Sequence, residues 1–292
     1  MNHTAFRPFR GALRFVLATL AAFASSLLVN LLLAPLNPFK DESGPAFMRL
    51  FLGSSMLLGG MLLFLVAESR LHGLRLFALT LLAYIGAAQL LAHVETLAFN
   101  FMFGFGAREL IFIVASQALT ALVFVPLVIA VAGKWRAKAE LPEDRVGSYL
   151  PSTTGSLLLR LALLSVLWYF CYMLAGYLIA DPLTHDYYAA KNPDLNSINS
   201  WLPLLQFFRG LAWTLLILLG VRIMNRPLRE SGFLVGLAYG VFQAAGLLLP
   251  STFMPPEMRL SHLPEIVVSL VLQGCLVVSV MGYRRKDGKP AA

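Results

Sequence analysis

The sequence predicts an all-α integral membrane protein with about eight transmembrane helices, arranged as two tandem, parallel four-helix repeats. The 292-residue chain is 58% hydrophobic and 13% charged, with a mean hydropathy of +0.74, whereas soluble domains carry about 25% charged residues. Eight apolar stretches have the length of a membrane span, and short motifs recur in the same order in the two halves of the chain. A bilayer is therefore the expected solvent.

Each apolar stretch approaches or exceeds the roughly 20 residues that a helix needs to cross the hydrocarbon core. The stretches are near-continuous runs of Leu, Ala, Val and Phe, and they lack the ten-residue alternation of transmembrane strands. Helices also satisfy their own backbone groups in lipid, so a helical bundle is the consistent interpretation. The predicted helices cover 11–33, 47–67, 72–92, 110–132, 157–180, 202–223, 233–250 and 264–283.

An internal duplication is predicted from four pairs of matching motifs. A first repeat at 1–133 and a second at 157–292 are joined by a polar linker at 134–156. Because each unit contains four helices, the second enters the membrane in the same sense as the first, around a pseudo-twofold axis along the membrane normal. The matches are LRFVLATL…APL with LRLALLSV…DPL, FMR at 47–49 with FFR at 207–209, LAY at 82–84 with LAY at 237–239, and Glu109/Gln117 with Glu265/Gln273.

The distribution of basic residues predicts the orientation. Of the 23 Lys and Arg residues, 17 fall on the side of the two termini and six on the other side. Because cytoplasmic loops are enriched in Lys and Arg, both termini are predicted to be cytoplasmic. The six outer residues are Lys40, Arg49, Arg108, Lys191, Arg209 and Arg259.

Several function classes receive no support from the sequence. The net charge of +8 comes from residues at helix ends rather than from one basic patch, so membrane lipids are the expected partners and nucleic acid is not. Cys171 and Cys275 lie inside apolar segments and offer no disulfide framework. No nucleotide-binding, hydrolase or metal motif is present, so no cofactor or metal is expected.

Four outer charges occupy matching positions in the two repeats. Arg49 and Arg209 lie near the starts of helices two and six, and Glu109 and Glu265 lie near the starts of helices four and eight. In the structural interpretation, each glutamate caps a helix dipole and pairs with the arginine of its own repeat. In the functional interpretation, all four line one outward-facing pocket, where two arginines suit a carboxylate, a phosphate or a lipid head group.

Outer histidines and acidic residues extend this candidate site. His93 and Glu95 precede the loop between helices three and four, and His262 lies three residues before Glu265. These residues are candidate ligand-binding groups, and metal ligation by them is a weaker alternative because no known ligand spacing is present. Pro264 predicts that His262 precedes the last helix.

Gln117 and Gln273 are repeat mates within predicted helices four and eight. Hydrogen bonding between helices accounts for both. Meeting near the pseudo-axis along a permeation path is the alternative interpretation.

Four segments resemble a family of uncharacterised multi-pass bacterial membrane proteins: AHVETLAF at 92–99, PLVIAVAGKWR at 126–136, QFFRGLAWTLLILLGVRIM at 206–224 and LLLPSTFMPPEMRLSHLPE at 247–265. The chain departs from the family's pattern at Ser251, Thr252 and Pro264. The resemblance implies a bacterial inner-membrane location and carries over no activity, substrate or cofactor.

The leading functional prediction is binding or transport of a small anionic or amphipathic ligand from the outer face, because duplicated bundles often hold a polar site on their axis. An accessory subunit that packs against a membrane protein partner is the next alternative. An intramembrane or interfacial hydrolase using outer His and Glu residues comes third. Enzymatic activity is the less favoured outcome.

Overall fold

A computed structural model describes residues 6–39, 44–100, 104–136, 151, 153–191, 195–251 and 254–282. Within these ranges, eight helices are long and apolar enough to cross a membrane, which confirms the predicted helical fold class. Residues 137–150 and 152 of the predicted linker lie outside the described residues. The helices are α1 (Phe6–Leu33), α2 (Pro45–Ala67), α3 (Gly73–Ile85 and Leu91–Ala98), α4 (Ala107–Ala132), α5 (Thr154–Ala175 and Asp181–Lys191), α6 (Leu195–Ile223), α7 (Leu228–Ala244) and α8 (Pro256–Met281).

The start of α8 differs from the sequence prediction. The helix begins at Pro256, where the fixed φ of proline suits the first helical position. Pro264 is accommodated inside the helix, so the prediction that His262 precedes it is wrong. Glu265 therefore lies in the third turn rather than at the helix N-terminus, while Glu109 does lie in the first turn of α4.

Two helices contain π-helical turns, at Gly86–Leu90 in α3 and Gly176–Ala180 in α5. A π-helical bulge accommodates one additional residue within a helix. The predicted repeat is out of step by one residue in these same two helices. The spacing from LAY to the following Gln is one residue longer in α3 than in α7, and the spacing from LRL to DPL in α5 is one longer than that from LRF to APL in α1.

Helix packing follows matching patterns in the two halves. Helix α1 packs against α2 and α4, and α5 packs against α6 and α8. Between the halves, α2 contacts α7 and α3 contacts α6. This reciprocity is what a pseudo-twofold axis would produce. The duplication itself remains a prediction.

The loops that follow α2 and α6 join the halves at the face where α1 begins and α8 ends, called the terminal face below. The backbone N–H of Arg70 donates to the carbonyl of Ile223 (3.2 Å), and that of Asn225 donates to the carbonyl of Glu68 (2.8 Å). The Glu68 carboxylate also accepts a 2.7 Å hydrogen bond from Arg226 Nε. The terminal face is thus closed by backbone and ionic contacts between the halves.

Helices α7 and α8 form the closest seam in the bundle. Gly232, Gly236 and Gly240 recur every four residues on α7 and face the backbone of α8. A Cβ added at Gly236 would lie 2.4 Å from the carbonyl oxygen of Leu270, and one added at Gly274 would lie 2.2 Å from that of Gly232. Only glycine allows such close backbone approach in a membrane bundle.

Candidate functional site

The strongest polar contact within the bundle joins the two halves. Arg209 of α6 is 3% exposed, and its guanidinium donates to both carboxylate oxygens of Glu95 on α3, at 3.0 Å from Nη1 to Oε1 and 2.8 Å from Nη2 to Oε2. The Tyr172 ring lies 5.7 Å from the guanidinium carbon, within range for a cation–π interaction. A bidentate contact of this kind fixes both the distance and the plane of the two groups.

A second layer of side chains holds the arginine in place. Gln206, one turn before Arg209, is fully buried, and its Oε1 accepts hydrogen bonds from Arg209 Nη1 (3.1 Å) and Trp168 Nε1 (3.0 Å). Arg209 Nε is buried without a hydrogen-bond partner. The guanidinium is thus positioned mainly by Glu95 and Gln206.

A second ionisable pair lies on α8. His262 Nδ1 is hydrogen-bonded to Oε2 of Glu265, one helical turn later. Glu265 is 4% exposed and lies beside the π-helical turn of α5, where a Cβ added at Gly176 would be 3.6 Å from Glu265 Oε1. The absence of a side chain at Gly176 therefore leaves room beside this carboxylate.

Both pairs line one cavity of about 190 Å³, called the central cavity. Ionisable groups within membrane helices are costly to bury and usually face a functional cavity. Ser269, one turn after Glu265, also lines the cavity, and its Oγ is buried without a partner. Apolar walls complete the lining. They are formed by Phe99, Trp168, Leu247, Met254 and Ile266.

An adjoining cavity of about 550 Å³, called the chamber, lies mainly against the first half. Amides and hydroxyls dominate its polar lining, including Asn30, Gln89 and Gln117. Gln89 Nε2 donates to the backbone carbonyl of Gln117 at 2.8 Å, tying α3 to α4. Among the described residues that line the chamber, none is acidic and Arg259 is the only arginine or lysine.

The structure brings only some of the predicted site residues together. Four of them converge on the central cavity from α3, α6 and α8, namely Glu95, Arg209, His262 and Glu265. His93 and Gln117 instead line the chamber. Gln273 is fully buried, and its Nε2 donates to Thr214 Oγ1 (3.1 Å) and to the Leu164 carbonyl (3.3 Å). Gln117 and Gln273 therefore have hydrogen-bond partners in separate halves.

Arg49 and Glu109 lie outside both cavities. Arg49 is exposed near the start of α2, with its Nε 3.3 Å from the Pro45 carbonyl. Glu109 Oε2 lies close to Gly106 at the start of α4. The four charges at matching repeat positions thus do not surround one pocket, and Arg209 pairs with Glu95 of the other half instead of with Glu265.

Sequence reasoning missed the residues that support the charged pairs. Trp168 and Tyr172 are four residues apart on α5, and Gln206 and Arg209 are three apart on α6, spacings that place each pair on one helix face. That signal was available. The partnership of these two faces depends on tertiary packing and leaves no local pattern.

A metal centre receives no support in the part of the chain that the structure describes, where no group of three or more His, Cys, Asp or Glu residues is arranged to hold an ion. His93 lies apart from the central cavity, so the predicted alternative set of four ligands is divided between two spaces.

Comparison with known proteins shows no family for the chain. No protein-family model matches the chain, and neither a curated protein nor a solved structure is significantly similar to it. The resemblance to bacterial membrane proteins therefore remains a prediction, and function is argued from the site.

Proposed function

We propose that the chain binds a small amphipathic ligand in the central cavity, with the polar group of the ligand at Glu95 and Glu265 and its apolar part along the aromatic and aliphatic walls. The observation that carries this proposal is the convergence of four ionisable side chains from three helices on one largely apolar cavity. A pocket with apolar walls and a few converging polar groups is typical of ligand sites.

The charges of the cavity favour a ligand with a hydrogen-bond donor over an anion. Glu95 and Glu265 contribute two carboxylates against one guanidinium and the imidazole of His262. The guanidinium already donates to both Glu95 oxygens, and the imidazole is hydrogen-bonded to Glu265. Arg49, the second arginine expected to attract an anion, is exposed outside the cavity. An ammonium or hydroxyl group would therefore be a better partner for this site than a carboxylate.

Three probes with one carbon skeleton test this proposal: 2-phenylethylamine, 2-phenylethanol and phenylacetate. Thermal unfolding of the purified protein in detergent, followed across a concentration series, reports binding because the stabilisation of the folded state grows with the ratio of ligand concentration to dissociation constant. The amine is expected to stabilise most and phenylacetate least. Superior stabilisation by phenylacetate, or no response to any probe, overturns the proposal.

Two variants locate the response. Glu265→Gln removes the cavity carboxylate, and the affinity for the amine is expected to fall roughly tenfold, since hydrogen bonds to charged groups contribute about 1.5–3 kcal/mol. Glu109→Gln is the matched control, because Glu109 also lies on a membrane helix but outside the cavity. Equal losses in both variants contradict binding at the central cavity.

Hydrolysis is a second candidate function, favoured by the contact between His262 and Glu265. A carboxylate that hydrogen-bonds an imidazole orients the ring for general-base catalysis. The test compares cleavage of p-nitrophenyl butyrate by the wild type and by His262→Ala. Equal rates exclude a catalytic role for His262 in this reaction.

We also infer that the terminal face is cytoplasmic in a bacterial inner membrane, because 17 of the 23 basic residues fall on that side. A membrane-impermeant maleimide applied to intact cells is expected to label His185→Cys and to spare Arg226→Cys. The reverse labelling pattern would invert the orientation.

A further inference from the structure

We propose that the ligand is a single lipid molecule of the bilayer, which reaches the central cavity sideways between α3 and α4. This inference rests on the proposed function, because it names the class of ligand that the same site would take. Its basis is a third cavity of about 360 Å³, called the groove, on the surface between these helices.

The groove has the character of a site for a hydrocarbon chain. Seven of its nine lining residues are apolar, and Leu97, Ile111 and Val114 are 56%, 69% and 48% exposed. Exposed aliphatic side chains on a membrane helix face lipid tails. A lipid chain can therefore enter the groove directly from the bilayer without crossing a polar surface.

The groove adjoins the polar spaces inside, because some residues line more than one of them. His93, Thr96 and Ile113 line both the groove and the chamber, and Thr96 also lines the central cavity. Glu95, beside Thr96, is the residue that Arg209 holds in the central cavity. The three spaces therefore follow one another from lipid-facing surface to buried charge.

Polarity rises from the groove through the chamber to the central cavity, as it rises in a lipid molecule from the acyl chain to the head group. The groove is apolar, the chamber is lined by amides and hydroxyls, and the central cavity contains the carboxylates. His93 Nε2 is buried without a hydrogen-bond partner at the junction of groove and chamber. A polar atom of the lipid lying in the chamber, between the acyl chain and the head group, would supply a partner for this atom.

A small ligand from the aqueous phase would not need the groove. The central cavity alone, at about 190 Å³, is smaller than the roughly 300–1,000 Å³ of sites for drug-sized ligands. The three adjoining spaces together have room for a head group and part of a chain. The geometry thus favours a lipid with a small head group carrying N–H or O–H donors.

Photo-crosslinking of a defined lipid tests this inference. The protein is reconstituted into vesicles of phosphatidylcholine containing a small fraction of phosphatidylethanolamine with a diazirine on one acyl chain, and labelled peptides are mapped by mass spectrometry after irradiation. Labelling at 110–118 is expected to exceed that of the lipid-facing residues at 119–130 on the same helix by roughly tenfold, the ratio that about 1.4 kcal/mol sustains. Uniform labelling along α4 overturns the inference.

Substitutions on α4 provide the controls. Ala118→Phe and Ala115→Phe each fill the groove and are expected to abolish its excess labelling. Ala130→Phe adds the same ring to a lipid-exposed position of α4 away from the groove, and labelling at 110–118 is expected to persist. Labelling that survives both groove substitutions contradicts the assignment.

The response to 2-phenylethylamine separates the two proposals. A groove variant that still responds to the amine is folded and keeps a working central cavity, so unchanged lipid labelling in that variant refutes the lipid inference alone. A wild-type protein that does not respond to the amine refutes the proposed function. Replacement of the photoreactive lipid by its N,N,N-trimethylated analogue is expected to lower groove labelling, because it removes the N–H groups that would donate hydrogen bonds to the carboxylates.

Discussion

The seam between α7 and α8 and the seam between α3 and α4 occupy corresponding places in the predicted repeat, yet one is closed and the other is open. Glycines at 232, 236 and 240 let α7 approach the backbone of α8. By the correspondence of the two LAY motifs, the matching residues of α3 are Phe77, Leu81 and Ile85. Three large side chains thus stand at the positions where α7 has glycines.

The α4 side of the open seam shows the same contrast. By the correspondence of Glu109 with Glu265, Val114 matches Leu270 and Ala118 matches Gly274. Leu270 and Gly274 are buried against α7, whereas Val114 and Ala118 line the groove. A helix face that is covered in the second half thus becomes a binding surface in the first.

One half of the bundle supplies rigidity and the other supplies space. The closed seam presents His262, Glu265 and Ser269 from a firmly packed α8. The open seam leaves room beside Thr96 and His93 for a ligand. The difference in packing between the two seams thus makes the site asymmetric.

The largest effect is expected for Arg209→Met, which removes the ion pair between Arg209 and Glu95. This pair joins α6 to α3 beside the open seam, whereas the closed seam is held by packing. Breaking a buried ion pair costs about 3–5 kcal/mol because the remaining charge is left unpaired. We expect a loss near the lower limit, since Glu95 is 28% exposed to the cavity. Thermal or denaturant unfolding in detergent measures the loss.

Two further variants are controls for this measurement. Arg49→Met changes an exposed arginine and is expected to alter stability by no more than about 0.5 kcal/mol. The double variant Arg209→Met/Glu95→Gln is expected to recover part of the loss, because it removes the unpaired carboxylate. Losses that simply add would show that Arg209 and Glu95 do not stabilise each other.

A smaller loss is expected when the closed seam is forced open by Gly274→Ala. The new Cβ would lie 2.2 Å from the Gly232 carbonyl oxygen, so the two helices must separate. Overpacking of this kind typically costs about 1–3 kcal/mol. Gly53→Ala on α2 is the matched control, because nothing lies within 4 Å of the added Cβ. Similar unfolding midpoints for the two variants would contradict the rigid seam.

The helices and the glycine seam were predictable because both depend on local pattern. Length and hydropathy define each span, and a four-residue glycine repeat defines one thin helix face. The start of α8 was not predictable, because Pro256 and Pro264 both suit the first turn of a helix. In the structure the helix begins at Pro256. Pattern alone does not choose between them.

The site was only partly predictable, because ionic partners are chosen by tertiary packing. Repeat symmetry paired Arg209 with Glu265, whereas the structure pairs it with Glu95. Glu95 has no counterpart among the matched motifs, and its contact with Arg209 spans 114 positions of the chain. The π-helical turns are visible only as one-residue breaks in the repeat register, which sequence comparison cannot distinguish from chance.

A loss of about 1 kcal/mol is expected for Gln89→Leu, which removes the hydrogen bond joining α3 to α4. Gln117→Leu keeps the backbone carbonyl that accepts from Gln89 and removes instead the side-chain hydrogen bond between Gln117 and His93. Unfolding in detergent compares the two variants. A greater loss for Gln117→Leu would mean that side-chain contacts of Gln117 hold the open seam instead.

The smallest effect concerns the terminal face, where Glu68 and Arg226 join the halves. The hydrogen bond from Arg226 lowers the pKa of Glu68 below its usual value of 4.5. A carboxyl group with a lowered folded-state pKa contributes stability that is fully present above the unfolded-state pKa and is lost as the pH falls through the folded-state pKa.

Unfolding of the wild type is therefore expected to become easier below about pH 4.5, and Glu68→Gln is expected to flatten that dependence slightly. The contribution is small because Glu68 and Arg226 are 31% and 42% exposed and water screens their attraction. An unchanged slope in Glu68→Gln would mean that the backbone hydrogen bonds of the neighbouring loops close the terminal face without help from this ion pair. Of the two ion pairs between the halves, only Arg209 with Glu95, beside the open seam, would then contribute to stability.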